Sequence, residues 1–381
     1  YIDCKRDELH HRQTHGGRKM TARALFRLPY SDTYTIVEQG SGHPEELAAY
    51  GALDGREGFV IAPFAITAAE PLLLLRPDRI ETRRTTSETE VAGRARRKHG
   101  ADAADRRAYA GDFARCHSQL LAGRFAKLVL ARRATERMAR RVDAEQLFLR
   151  ACRLYPRMFV ALVEAQRCGT WLFATPERLL SGTSGRWHTV ALAGTQRLDG
   201  DAARFDCPPK PHAPADETIA WDGKNRREQR IVADYIADTL RPLTTGLSRS
   251  EARTVRAGNV IHLRTDFDFT LADGQGIGNV INALHPTPAV CGLPKDEARR
   301  FLTTAEHSPR SYYSGFMGPL NICNETHLYV SLRCMAIDGD SCSLYAGGGL
   351  LTDSIEEQEW LETEAKMETM RNVIGDTVTD E

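Results

Sequence analysis

From Thr21 to about Leu75 the apolar residues come in short runs and alternations: ALFRLPY, YTIVEQ, GFVIAPFA and PLLLLRP, broken by Gly, Pro and Asp. Such runs between turn residues predict strands. The period changes at Tyr109, Phe113, Cys116 and Leu120, which recur at helical spacing before Gly123. Phe125 to Arg132 (FAKLVLAR) reads as a strand, and alternation puts Lys127 on the face of Phe125 and Val129. A helix over Ala144 to about Leu154 precedes strands in RMFVALVEA and TWLFAT. The second ends in a proline turn, Thr175-Pro176-Glu177, and VALAGT reads as a strand closed by a small-residue turn. Asp199 to Ala220 is Pro- and Asp-rich and reads as a loop; a long helix follows from about Lys224 to Leu240.

Gly258 to Phe269 is again strand-like and carries His262. LHPTPAVCGLP, with Pro286, Pro288 and Pro294, predicts a rigid loop entering a helix at Lys295. Tyr312–Gly318 and Leu328–Met335 read as further strand text, with Arg333 inside the second. Ser343–Ala346 predicts a short strand, Gly347, Gly348 and Gly349 a loop. Ser354 and Glu357 form a capping-box pattern opening a helix to about Val373, with Gly375 past its end. Consecutive strands with interspersed helices and no βαβ rhythm predict an α+β fold of mainly antiparallel sheets.

With 381 residues, 41% hydrophobic and 27% charged, the chain is a globular protein of one large domain or two ordinary ones. Lys+Arg and Asp+Glu both number 51, which points away from nucleic acid or an anionic membrane as main partner. No apolar run approaches the ~18 residues that span a bilayer. Residues 1–20 are polar, lack a signal-peptide core and read as a disordered segment, with Met20 a candidate natural start. The nine cysteines show no CxxC spacing and most sit in apolar patterns, which predicts free thiols in a reducing cytosol. Arg79 to Arg107 reads as a solvated linker or exposed helix. No GxGxxG or P-loop follows a strand, which argues against nucleotide binding.

Candidate chemistry is concentrated in a few charged side chains within apolar text. Glu359, Glu362 and Lys366 share one helix face. They are either an ordinary surface pair or a site in which carboxylates hold a divalent cation while lysine and glycines hold an anion. Lys127 is either an edge-strand lysine or a buried functional one. Glu177 follows a proline turn that aims it from a rigid sheet. Glu228 sits in a charged helical turn. A buried Arg333 needs a partner, for which a substrate carboxylate is a good candidate.

Taken together, KLVLAR, TPERLL, ALAGT, KNRREQ, VIHLRT, LHPTPAVCG, YYSGFMG, LRC, YAGGGL and EWLETEAKMETM, in that order from Ala122 to Gly375, resemble the chorismate-utilising enzymes and within them the isochorismate synthases. The resemblance implies two antiparallel sheets packed into one domain of residues 21–378, in which 21–108 supply an N-terminal sheet region and linker and 109–378 the core with the active site. It implies that Lys127 is a general base activating water and Glu177 a general acid protonating the departing C4 hydroxyl of chorismate. It implies Mg²⁺ held by Glu228 and Glu362 with Glu359 nearby through water. The pyruvyl carboxylate would be held by Arg333, Tyr313, Lys366 and backbone amides near Gly347 and Gly349. Gly194 would leave room for substrate, and His262, Ala289 and Val290 would line the pocket. Relatives that add ammonia usually carry Gln at the position of Lys127, and those with a nucleophilic lysine carry it at the position of Ala193; water is therefore the expected nucleophile. The implied activity is isomerisation of chorismate to isochorismate, with salicylate synthase or an inactive chorismate binder as alternatives. The implied protein is cytoplasmic and monomeric. Gly223 and Pro319 depart from the family pattern.

Overall fold

The structure, a computed structural model, describes residues 21–85, 103–183, 185–197, 220–257 and 260–375. The expected disorder of residues 1–20 therefore lies outside the described residues. So do most of the Asp199–Ala220 loop and residues 86–102 of the expected linker.

The first strands are β1 (Ala22–Arg27), β2 (Thr33–Gln39), β3 (Glu45–Leu47), β4 (Gly58–Ala62), β5 (Leu72–Leu75) and β6 (Arg79–Arg84). Helix α1 (Ala103–Leu121) leads to β7 (Lys127–Arg137), and α2 (Ala144–Leu154) to β8 (Phe159–Ala165), β9 (Gly169–Thr175), β10 (Arg178–Thr183) and β11 (Arg186–Arg197). After α3 (Gly223–Leu240) come β12 (Thr244–Arg249), β13 (Arg253–Ala257) and β14 (Val260–Leu271). Helix α4 (Ile277–Leu284), β15 (Gly292–Leu293) and α5 (Lys295–Ala305) precede β16 (Phe316–Leu320), β17 (Thr326–Val330), β18 (Cys334–Asp338), β19 (Ser341–Leu350) and α6 (Glu356–Ile374).

These strands form two sheets, antiparallel at every pairing among the described residues. The first runs β15-β7-β19-β18-β9-β8-β1-β2-β6; the second runs β12-β14-β11-β10-β17-β16-β4-β5-β3, with β13 beside β14. The sheets face each other. Phe26, Phe159, Ala161 and Val163 from the first meet Phe59, Ile61, Leu73 and Leu75 from the second. The Phe159 and Tyr329 rings stack across the interface at 4.2 Å. The alternate residues point outward: Leu25, Val160 and Leu162 toward α2 and α6, and Val60, Leu72 and Leu74 toward α3 and α4. Sheets covered on both faces need continuous apolar strands, which is why Leu72–Leu75 carries no polar position. No helix among the described residues is long and apolar enough to cross a membrane.

Several local readings are corrected. Gly347–Gly349 are not a loop but the end of β19, paired with Leu130 and its neighbours on β7. VALAGT does not end in a turn: β11 continues, and Gly194, at φ 72°, forms a bulge between Ala193 and Thr195. Arg333 does not lie inside a strand; it holds φ 47° where the chain leaves β17 in one sheet for β18 in the other. Ser354 caps no helix, because its hydroxyl turns back to accept from Leu351 N–H and the N-cap is Ile355. Arg79–Arg84 is no linker but edge strand β6, whose exposed charges suit an unpaired sheet edge. Cys323 is in a disulfide, unlike the free thiols Cys116, Cys152, Cys168, Cys291, Cys334 and Cys342. It sits in a tight turn rather than an apolar pattern.

Candidate active site

The chain passes from one sheet to the other twice at the same place, from β9 to β10 through Pro176-Glu177 and from β17 to β18 through Ser331–Arg333. The two crossings are stitched together. Thr175 Oγ1 donates to Val330 O (2.8 Å), Val330 N–H to Glu177 O (2.9 Å) and Ala174 N–H to Arg333 O (3.0 Å). Glu177 and Arg333 thereby line one narrow cavity between the sheets, of ≈ 40 Å³.

Glu177 is buried, and Thr287 Oγ1 donates to it over a long 3.4 Å. Burial pushes its carboxyl up to about 8, against the pull of Lys127 and Arg333. Arg333 is buried as well. Its Nη2 donates to His262 Nε2 at 2.9 Å, while its Nε has no partner. No carboxylate pairs with it among the described residues, so a cation faces the cavity with spare donors. His262 stands on β14, and its Nδ1–H donates to Gly194 O at 2.9 Å. Burial, Arg333 and Lys366 hold the imidazole well below its usual range, so it is neutral and its free nitrogen can accept from Arg333. The bulge at Gly194 is held from α3: Ala193 N–H donates to Gln229 Oε1 and Thr195 N–H to Asn225 Oδ1.

Opposite runs the glycine end of β19. Val129 N–H donates to Cys291 O and Ala131 N–H to Glu306 Oε1, so neither strand partner bonds Gly349 or Gly347. The N–H and C=O of both glycines therefore point away from β7, and β18 reaches no further than Tyr345. Lys366 Nζ takes the Gly347 carbonyl (2.8 Å) and Glu362 Oε1 (2.6 Å). The absent side chains make room: a Cβ on Gly349 would lie 2.1 Å from Glu228 Oε1, and one on Gly347 2.9 Å from the Tyr313 hydroxyl. Tyr313 is buried, which pushes its phenol up and leaves it a donor.

Lys127 is not at a sheet edge. It is wholly buried, with Nζ 2.9 Å from Glu228 Oε1. Burial pushes Glu228 up, but Lys127 and Lys224 outweigh it and hold the carboxyl below its usual range. Glu359 pairs with Lys224, and burial together with Glu362 pushes it up. Glu359 Oε2 is buried without a hydrogen-bond partner, and a Cβ on Gly348 would lie 3.2 Å from it and 3.8 Å from Glu362 Oε1. Among the described residues no three His, Cys, Asp or Glu side chains form a ready metal-binding group; Glu228 and Glu359 are each paired with a lysine. The donor set still suits a hard divalent cation: carboxylate oxygens, one of them buried and unpartnered, around a strip of bare backbone.

The cavity is lined by Glu177, Glu228 and every expected pocket residue: Gly194, His262, Ala289, Val290, Tyr313, Arg333, Gly347, Gly349 and Lys366. Lys127, Glu359 and Glu362 are not in this lining; Lys127 touches it through Glu228 and Glu362 through Lys366. Sequence reasoning missed Lys224, Thr287, and the buried pair Glu306–Arg310, whose guanidinium donates to Val290 O and Val129 O at 2.6 Å each. An arginine four residues after a glutamate looks like any helix pair, and only the fold buries it.

The sequence profile described as chorismate binding enzyme matches residues 66–375. The chain is 29% identical to the salicylate biosynthesis isochorismate synthase of Pseudomonas aeruginosa over 344 residues, covering 90% of this chain and 68% of that one. It is 31% identical to the isochorismate synthase MenF of Escherichia coli over 252 residues, 66% of this chain and 56%, less than two thirds, of the relative. The solved structure of that menaquinone-specific enzyme superposes with a TM-score of 0.72 at 22% identity, covering 94% of this chain and 90% of that one. At that identity the structural likeness speaks for the fold.

Proposed function

This chain belongs to the chorismate-binding enzyme family, and on that footing we propose that it is an isochorismate synthase, converting chorismate to isochorismate reversibly. The observation that carries the reading is the pairing of a protonated acid with a buried lysine beside one cavity. Burial pushes the Glu177 carboxyl up to about 8, and Lys127, close enough to pull on it, touches the lining residue Glu228; no glutamine stands at 127 and no lysine at 193. The named relatives, both isochorismate synthases, support the same reading.

In this mechanism Arg333, Tyr313, Lys366 and the free N–H groups of Gly347 and Gly349 hold the pyruvyl carboxylate. His262 keeps Arg333 aimed. Lys127 takes a proton from water as its oxygen bonds to C2. The ring double bonds shift, the C4–O bond breaks, and Glu177 gives its proton to the departing hydroxide, which leaves as water. One water enters and one leaves, so the net change is an isomerisation; the protons on Lys127 and Glu177 reset through solvent. Gly194 and Ala193 leave space where a side chain would block the ring. Glu228, Glu362 and Glu359 would hold Mg²⁺, which supplies charge neutralisation for the ring carboxylate when bound.

The test is product analysis of chorismate incubated with the protein, with Mg²⁺ and with EDTA. Isochorismate in equilibrium with chorismate, formed only with the metal, is expected. Salicylate plus pyruvate, or no turnover, would overturn the reading.

A further inference from the structure

A second cavity, of ≈ 330 Å³, shares no lining residue with the active site. It lies where α4 and α5 meet the segments after β3 and β4. Its lining combines apolar residues, Ala65 and Ile66 among them, with Arg299, Arg300, Asn282 and Tyr50. Tyr50 is 5% exposed, its hydroxyl has no hydrogen-bond partner, and its ring is fixed against His285 (5.5 Å) and Phe316 (5.8 Å). Burial pushes the phenol up to about 12, so the hydroxyl is a standing donor. A buried hydroxyl without a partner is unfavourable unless something takes its hydrogen. Arg299 makes only a 3.3 Å contact with Asp296, and Arg300 has no carboxylate partner among the described residues. The lining therefore carries two guanidinium side chains, a phenol and an amide, all of donor type, together with apolar residues.

We infer that this cavity binds a small carboxylate with an apolar body. The carboxylate sits between Arg299 and Arg300 with the Tyr50 hydroxyl as third donor, and the body covers Ala65 and Ile66. Planar guanidinium groups match a carboxylate in paired hydrogen bonds. A compact anion such as phosphate would satisfy the donors but leave the apolar residues wet, so these select for the body. The inference goes beyond the proposed reaction and does not use it.

The probe is 4-fluorobenzoate, followed by ¹⁹F NMR on the full chain with and without saturating chorismate. Saturable binding that persists with chorismate present is expected. Arg299→Ala/Arg300→Ala should weaken it by about tenfold or more, as loss of charge-assisted hydrogen bonds does. Tyr50→Phe should weaken it less, and inorganic phosphate should not displace the probe. Both variants should keep chorismate turnover, which certifies their folding. Absence of saturation, full displacement by chorismate, equal displacement by phosphate, or unchanged binding in the double variant would each overturn the inference. The double variant decides it even if the chain turns over no chorismate, so the two readings fail separately.

Discussion

Lys127 Nζ lies 2.9 Å from Glu228 Oε1, and the lysine side chain reaches no solvent. Removing one member of a buried pair leaves the other charge stranded, typically at about 3–5 kcal/mol. Lys127→Met should therefore lose both stability and turnover, the latter by roughly 10²–10⁴-fold as for loss of a general base. Lys127→Met/Glu228→Gln should recover much of the melting temperature and none of the turnover. Melting curves and kcat for the two variants separate the structural role from the chemical one; parental turnover in Lys127→Met would remove it from the mechanism.

Glu177 titrates near 8 in the folded chain against an ordinary 4.5. Between those values the unfolded chain has given up this proton and the folded chain has not. The unfolded state then binds fewer protons, so the group's contribution to stability falls as pH rises from about 4.5 to about 8. Glu177→Gln should raise the melting temperature, by a margin that grows with pH across that window. The parent's kcat should fall above about pH 8, where the acid is spent, and Glu177→Gln should fall by roughly 10²-fold or more. A melting temperature insensitive to the substitution at pH 8 would contradict the protonated state.

Gly349→Ala places a methyl group 2.1 Å from Glu228 Oε1, closer than atoms pack. Overpacking of this kind costs about 1–3 kcal/mol. The larger effect should be on turnover, because the group displaced is Glu228 and through it Lys127. Gly339→Ala is the control for β-turn glycines: nothing crowds its Cβ, although its φ of 61° strains any side chain. It should lose some stability and keep its kcat. Equal kcat losses in the two would show that the strip near Glu228 is not special.

Magnesium should raise the parent's melting temperature in proportion to the logarithm of its concentration once above Kd, since a ligand that binds only the folded chain stabilises it. EDTA should abolish turnover without unfolding the chain. The thermal shift should vanish in Glu362→Gln and Glu228→Gln. A shift that survives both substitutions would place the ion elsewhere.

The strands and helices were legible wherever burial repeats along the chain. Leu72–Leu75 reads as strand because both its faces are covered, and Ala144–Leu154 reads as helix to the residue. The sequence misled where Gly or Arg carries a meaning set by distant neighbours. Gly347–Gly349 look like a turn, yet they sit in a strand because Glu228 from α3 and Tyr313 occupy the space beside them. Arg333 looks like strand text, but the strands on either side of it belong to different sheets. Within the site, Lys127 was legible as an oddity in an apolar run, and its meaning came from the family resemblance. Lys224, Thr287 and Arg310 gave no signal, since each is an ordinary residue whose importance depends on what the fold brings to it.

The place of β19 in the first sheet has a consequence for the chain as it is being synthesised. It lies between β7 and β18, and among the described residues β7 has no other strand partner than the two-residue β15. A ribosome that has translated everything before Ser341 has thus made the text of two pieces of this sheet, the six strands β18-β9-β8-β1-β2-β6 and the pair β15-β7, with no central strand to join them. The same late segment brings Gly347, Gly349, Glu359, Glu362 and Lys366. Domains fold as units once their contacts are available. Neither the sheet nor the candidate site can therefore be complete until the segment through α6 has emerged.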